Sequence, residues 1–199
     1  MSGEPTRRAI AKLAGTPIKI VAPSHGLLWR KDPQRIIELY SKWANYSEGG
    51  REKAVTVMFG SMYGNTRDYA ESIMQAISEQ HLPVESFDIN TTHVSYILPS
   101  LWKNQGVIVC APTYETSMFP IMLNVLNMAK IKRIQNRTAA YFGSYGWGSM
   151  AKKQFESYCT EQKWDMIENR QFYGKPKAAD FEIIKPFAEK FVEAVKKAA

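Results

Sequence analysis

From Ala54 to the C-terminus, short and nearly unbroken apolar runs alternate with longer stretches whose apolar residues recur every three or four positions. The runs Ala54 to Phe59, Val84 to Ile89, Gly106 to Cys110, Thr138 to Phe142 and, more weakly, Met166 to Tyr173 have the length of strands. Between them the spacing predicts helices over Asn65 to Glu79, Val94 to Trp102, Pro120 to Ala129 and Met150 to Gln162. The first of these puts Tyr69, Ala70, Ile73, Met74 and Ile77 on one face. A last helix runs to the C-terminus, kinked or delayed by Pro186. Strands that are apolar on both faces belong to a parallel sheet covered on both sides, because parallel neighbours need crossover connections. The pattern therefore predicts a doubly wound α/β domain with five parallel strands. Ligands of such sheets sit beyond the C-terminal ends of the strands, where the strand order switches.

A different segment precedes this alternation. Residues 5 to 48 hold a predicted short helix, "TRRAIAKLA", stopped by Gly15, a predicted strand "IKIV", a turn containing His25, and a helix "PQRIIELYSKWANY" with Pro33 in its first turn. It ends in "SEGGREK", two glycines among charged residues, which reads as a linker. The expected division is residues 1–50 as an N-terminal helix-strand-helix arm and 51–199 as the α/β domain.

Composition narrows the function classes. The chain has 199 residues, 45% hydrophobic and 23% charged, the make-up of a globular protein with a real core. Its apolar runs fall far short of the roughly 20 residues of a membrane span, and no charged-then-apolar leader opens it. Two cysteines, Cys110 and Cys159, make no disulfide framework, so a reducing cytoplasm is the expected location. The net charge of +7 comes from basic residues scattered over "KIKRIQNR", "AKKQF" and "AVKKAA", with no nucleic-acid-binding pattern beside them. A solvated basic surface is favoured, and neither nucleic acid nor membrane is expected as a partner.

Three loops follow the first, third and fourth strands: "GSMYGNT", "APTYETSMFP" and "GSYGWGSM". The first, Ser61-Met62-Tyr63-Gly64-Asn65-Thr66, leads straight into a helix. Small hydroxyl residues, a glycine and the free N–H groups of a helix N-terminus form a cradle for a phosphate. A hydroxyl-rich helix cap has the same look. The loop has no Walker lysine and no GxGxxG, so it suits a bound phosphate monoester. The second loop carries Tyr114 and Phe119, and the third Tyr145 and Trp147, each among small polar residues. Singly such aromatics are more often packing residues; together at one sheet edge they suit a flat heteroaromatic ring held by stacking and backbone hydrogen bonds.

These loops resemble the three FMN-binding loops in the flavodoxin-like domain of flavodiiron proteins. "APSHGLLWR", residues 22–30, is similar to the segment that closes their metallo-β-lactamase-like domain just ahead of that part. The resemblance runs from about Ile18 onward. It implies a flavodoxin-like fold with strand order 2-1-3-4-5, and an arm corresponding to the end of the lactamase-like domain. It also implies FMN as cofactor, bound by its phosphate at Ser61, Met62, Tyr63, Gly64, Asn65 and Thr66. The ring would lie between Pro112, Thr113, Tyr114, Glu115, Thr116 and Phe119 on one side and Ser144, Tyr145, Gly146, Trp147 and Gly148 on the other. Long-chain flavodoxins and quinone reductases share the first loop type but not "APSHG".

In flavodiiron proteins the histidine of this segment is the last ligand of a two-iron site. Here that is His25, but the earlier His, Glu and Asp motifs are missing, and His81 and His93 lie in the α/β part. One histidine cannot hold two irons. His25 is thus a metal ligand only if a lactamase-like diiron domain or chain completes the site; otherwise it caps its own turn in an N-terminal arm. The favoured function is an FMN electron-transfer module of an oxygen or nitric oxide reductase, fed by a rubredoxin- or ferredoxin-like donor and assembled as a homo-oligomer. The alternatives are a stand-alone flavin-dependent NAD(P)H or quinone oxidoreductase, for which no substrate-pocket signature is found, and an interaction module that has lost its flavin.

Overall fold

Along strand β1 (Glu52–Phe59), Val55 and Val57 face one side while Thr56 and Met58 face the other, and all four are buried. The same double burial holds for β3 (Asn104–Cys110), where every residue is buried. It holds also for the first six residues of β6 (Thr138–Tyr145). In the computed structural model of the chain, which describes residues 3–198, these strands form the centre of a five-stranded sheet. β2 (Val84–Asp88) and β7 (Asp165–Tyr173) form its edges. The order is β2-β1-β3-β6-β7 and every pairing is parallel, which is the expected 2-1-3-4-5 once the small β4 and β5 are set aside.

Helices cover both faces. On one, α3 (Asn65–Glu79) and α8 (Ile184–Lys197) bury Tyr69, Ile73, Phe187 and Phe191 against Val55, Val57, Ile108 and Phe142. On the other lie α4 (Val94–Lys103), α5 (Pro120–Ile131) and α6 (Ala151–Gln162). There Ser100 of α4 hydrogen-bonds Thr56, and Phe155 of α6 packs on Tyr141 with ring centroids 5.5 Å apart. The final helical stretch is broken: α7 (Ala178–Glu182) ends before α8 begins. Pro186 falls in the first turn of α8, where an absent N–H leaves no helical bond unmade.

The chain divides into two compact units between Arg51 and Glu52. The first contains α1 (Gly3–Lys12), α2 (Pro33–Asn45) and a 3₁₀ turn at Tyr46–Glu48. Asp32 caps α2 by accepting from the Arg35 N–H at 3.2 Å, with Pro33 at the first helical position. The predicted strand "IKIV" is corrected here. Among the described residues its only ladder contact is one antiparallel bridge between Val21 and Trp29, with N···O distances of 3.0 and 2.9 Å. An apolar run becomes a strand only with a partner edge, and within this unit the returning chain supplies one residue of it. A groove of about 710 Å³, lined by residues that include Ile10, Val21, Trp29, Tyr40 and Trp43, runs through the same unit.

Candidate functional site

Strand β1 ends at Phe59 and α3 starts at Asn65, so residues 60–64 must reverse the chain in one tight loop. Gly64 takes φ +90° at the helix cap, a left-handed conformation with open space around it. Ser61 Oγ accepts the Gly64 N–H at 2.9 Å, which folds the loop back on itself. Asn90, just beyond β2, clamps it from the side: its Nδ2 donates to Ser61 O at 3.0 Å. The first N–H groups of α3 have no partner within the helix, and its dipole adds positive potential there. Thr66 is buried in that first turn, its hydroxyl 3.4 Å from that of Ser144 near the end of β6. Two loops far apart in sequence thus bring hydroxyls to one helix N-terminus.

The second loop is better ordered than its sequence suggests. Thr113–Tyr114 (β4) and Ser117–Met118 (β5) pair as a two-residue hairpin, Thr113 opposite Met118. Its turn residues Glu115 and Thr116 have φ of +45° and +64°. Two-residue hairpins favour such turns because their twist matches that of the strands, but Asn-Gly and Asp-Gly are the usual occupants. A glutamate and a β-branched threonine there carry strain of about 1–3 kcal/mol each, and such strain persists where the surroundings hold it. Without an Asn-Gly pair, nothing in the sequence of this stretch distinguishes the hairpin from a plain loop.

The surroundings are polar and specific. Met150 N donates to Thr116 O at 2.6 Å. Gln154 of α6 accepts from Met118 N at 2.8 Å and donates to Ser117 Oγ at 2.8 Å. Thr113 Oγ1 lies 2.8 Å from Ser149 Oγ, and Gln171 Nε2 of β7 donates to both, at 3.2 and 2.7 Å. Beneath them Tyr141 donates to Ala111 O at 2.8 Å, its hydroxyl pushed well above the usual phenol range by burial. Gly143 makes room for this contact: a Cβ there would fall 2.2 Å from both Ala111 O and the Tyr141 hydroxyl oxygen. Asn90, Ser149, Gln154 and Gln171 were not singled out by sequence, since polar residues at element ends carry no pattern of their own.

Each predicted residue has a definite place. Trp147 is 97% and Tyr63 87% exposed, and Met62, Tyr114, Glu115 and Thr116 are also exposed. Ser61, Gly64, Asn65, Thr113, Ser144, Tyr145, Gly146 and Gly148 are half-buried. Pro112 and Phe119 are buried and close the second loop at its base, where Phe119 N donates to Pro112 O at 3.0 Å and the Phe119 ring lies against Gly60. Tyr145 packs edge-on to Tyr173, centroids 5.7 Å apart. Cys110, at the end of β3, is fully buried and its thiol is pushed far up by burial, so it is no nucleophile. His25 stands exposed in its turn, next to Gly26 at φ +99°. Among the described residues its ring has no hydrogen-bond partner, and no group of three or more His, Cys, Asp or Glu is placed to hold a metal.

The arrangement fits a flavin mononucleotide. Helix N–H groups with the Ser61, Thr66 and Ser144 hydroxyls suit a phosphate monoester, and the exposed side chains of Tyr114 and Trp147 offer aromatic surface to a ring.

Comparison with known proteins agrees with the geometry. The flavodoxin family model matches residues 57–182. A nitric oxide reductase of Moorella thermoacetica is 33% identical over 75% of this chain and 37% of its own length. An anaerobic nitric oxide reductase flavorubredoxin of an Enterobacter species is 29% identical over 84% of this chain and 34% of its own. Among solved structures, the rubredoxin oxygen:oxidoreductase of Desulfovibrio gigas superimposes with a TM-score of 0.88 at 26% identity, covering 98% of this chain and 49% of that one. An archaeal flavodoxin shares the fold at a TM-score of 0.62 and 22% identity, covering 72% of this chain and 99% of its own. The chain thus spans about a third of the length of the curated relatives it matches and about half of the Desulfovibrio structure.

Proposed function

Because the chain belongs to the flavodoxin family, we propose that it is the FMN-binding electron-transfer part of an oxygen- or nitric-oxide-reducing flavodiiron system, relaying electrons from a small redox protein to a two-iron site completed outside its described residues. The observation that carries this reading is the convergence of a hydroxyl-lined helix N-terminus and exposed aromatics on one end of the sheet. FMN supplies a ring that takes up and releases electrons. Around it the α3 N–H groups, Ser61, Thr66 and Ser144 hold the phosphate, while the hairpin and the Ser144 to Gly148 loop orient the ring. Exposed Trp147 shields one edge from water. The cradle has no glycine pattern for a pyrophosphate, which favours FMN over FAD or a nicotinamide dinucleotide.

The net charge of +7 supports an acidic, rubredoxin- or ferredoxin-like donor. Reduction by such a donor slows as salt rises, since surface charges are screened within about 10 Å at 0.1 M ionic strength. His25 is the final ligand of the two-iron site when a lactamase-like domain or chain provides the others, in an assembly with more than one copy. The isolated chain then carries flavin without stoichiometric iron.

Titration of the purified chain with FMN and FAD tests the central claim. One FMN bound per chain with weak FAD binding is expected, and a preference for FAD overturns it. Turnover of NAD(P)H with a quinone by the chain alone would favour a self-sufficient oxidoreductase instead.

A further inference from the structure

Gln171 sits on an edge strand, outside all three loops that the sequence marks, yet its amide joins two of them. In the sheet it is paired with Gly143, and the missing side chain there leaves the Tyr141 hydroxyl free to reach Ala111 O. Gln171 Nε2 donates to Thr113 Oγ1 of the hairpin and to Ser149 Oγ of the loop after β6, and these two hydroxyls are themselves in contact. Ser149 Oγ also accepts from Ala151 N at 3.1 Å, which ties the triangle to the start of α6. A turn of two left-handed, non-glycine residues is held open on this support. With Met150 N on Thr116 O, Gln154 on both residues of β5 and Gln171 on Thr113 of β4, the hairpin is held at its turn and on each strand.

We propose that Gln171 is a positioning residue for the flavin ring, fixing the spacing between the Thr113 hairpin and the Ser149 loop without touching the phosphate cradle. The inference rests on the FMN reading. Deleting the amide leaves two adjoining hydroxyls short of a donor and lets the strained turn relax. The ring site loosens while the Ser61 to Thr66 loop, held by Asn90, keeps its form.

Riboflavin, which has the ring but no phosphate, separates the two halves of the site. FMN and riboflavin are titrated into the wild-type chain and Gln171→Leu, with thermal melting as the folding control. Gln171→Leu is expected to weaken both ligands by the same factor, about five- to ten-fold for one lost hydrogen-bonded group, and to alter the visible absorption of bound FMN. Wild-type affinities and an unchanged spectrum in a folded Gln171→Leu protein would overturn the proposal, as would loss confined to FMN. If Gln171→Leu does not fold, Ser149→Ala is read by the same criteria, because it removes the shared hydroxyl. Failure of the wild-type chain to bind FMN sinks the functional reading itself, a result distinct from wild-type binding that Gln171→Leu leaves untouched.

Discussion

At the N-terminal end of the parallel strands, buried polar side chains tie helix ends to strand starts; at the C-terminal end, large rings face water. Arg137, just ahead of β6, is buried and donates to the carbonyls of Leu101 (3.0 Å), Trp102 (3.1 Å) and Gln135, closing the last turn of α4 where the helix dipole favours a cation. Nearby, Asn104 Nδ2 bonds the hydroxyls of Thr56 and Ser100 at 3.1 and 3.2 Å, and Lys103 pairs with Glu85, whose carboxyl is held below its usual range with that lysine's help despite the burial opposing it. The opposite end has Glu115 and Thr116 in left-handed conformations and Trp147 almost fully exposed. Left-handed non-glycine residues occur at both ends, His81, Arg133, Asn136 and Lys163 at the first and Glu115 and Thr116 at the second, so the two differ in their side chains: buried polar ties at one, exposed aromatic rings at the other.

The sharpest test of this division is Arg137→Met. It strands the Leu101 and Trp102 carbonyls at a buried helix end and the Gln135 carbonyl in the loop beside it, so a loss of roughly 3 kcal/mol or more is expected in denaturant unfolding. FMN affinity of the folded fraction should be unchanged, and a parallel loss of both would break the comparison. Thr66→Ala should do the reverse. Removing a hydroxyl that bonds a phosphate costs roughly 1.5–3 kcal/mol, so FMN binding weakens about ten-fold or more in titration. Riboflavin binding should barely respond, and equal loss of both ligands would place the cradle elsewhere.

A smaller effect of opposite sign is expected from the double change Glu115→Asn and Thr116→Gly, which supplies the residues such a turn favours. The protein should gain about 1 kcal/mol in unfolding free energy, because strain in the turn is relieved. A loss of stability would show that these side chains hold the hairpin rather than burden it. The least change in stability is expected for Trp147→Ala, within about 0.5 kcal/mol, since an exposed side chain buries nothing. The same variant should alter the fluorescence of bound FMN, and identical emission would remove Trp147 from the ring's surroundings.

How much of this was legible in the sequence differs by element. The five strands and their intervening helices announce themselves through periodicity, since a strand buried on both faces must be apolar throughout and a helix buried on one must repeat every three to four residues. Ser61 to Thr66 was readable for a related reason: a strand, a hydroxyl-rich turn and a helix start make an anion cradle out of local chain alone. "IKIV" shows the limit, because its apolar run satisfies a strand's composition but finds only the Val21–Trp29 bridge. Gln171, Gln154 and Asn90 carried no signal, being separated from the loops they hold by up to 58 residues, as Gln171 is from Thr113. The class of fold, the strand-to-loop order and the chemistry available at each loop follow from near neighbours in the chain and are readable from them. That Glu115 and Thr116 turn left-handed and that Gln171 couples two loops emerges once the chain is folded. So does the meeting of the Thr66 and Ser144 hydroxyls at one helix end, since each of these depends on which strands lie side by side.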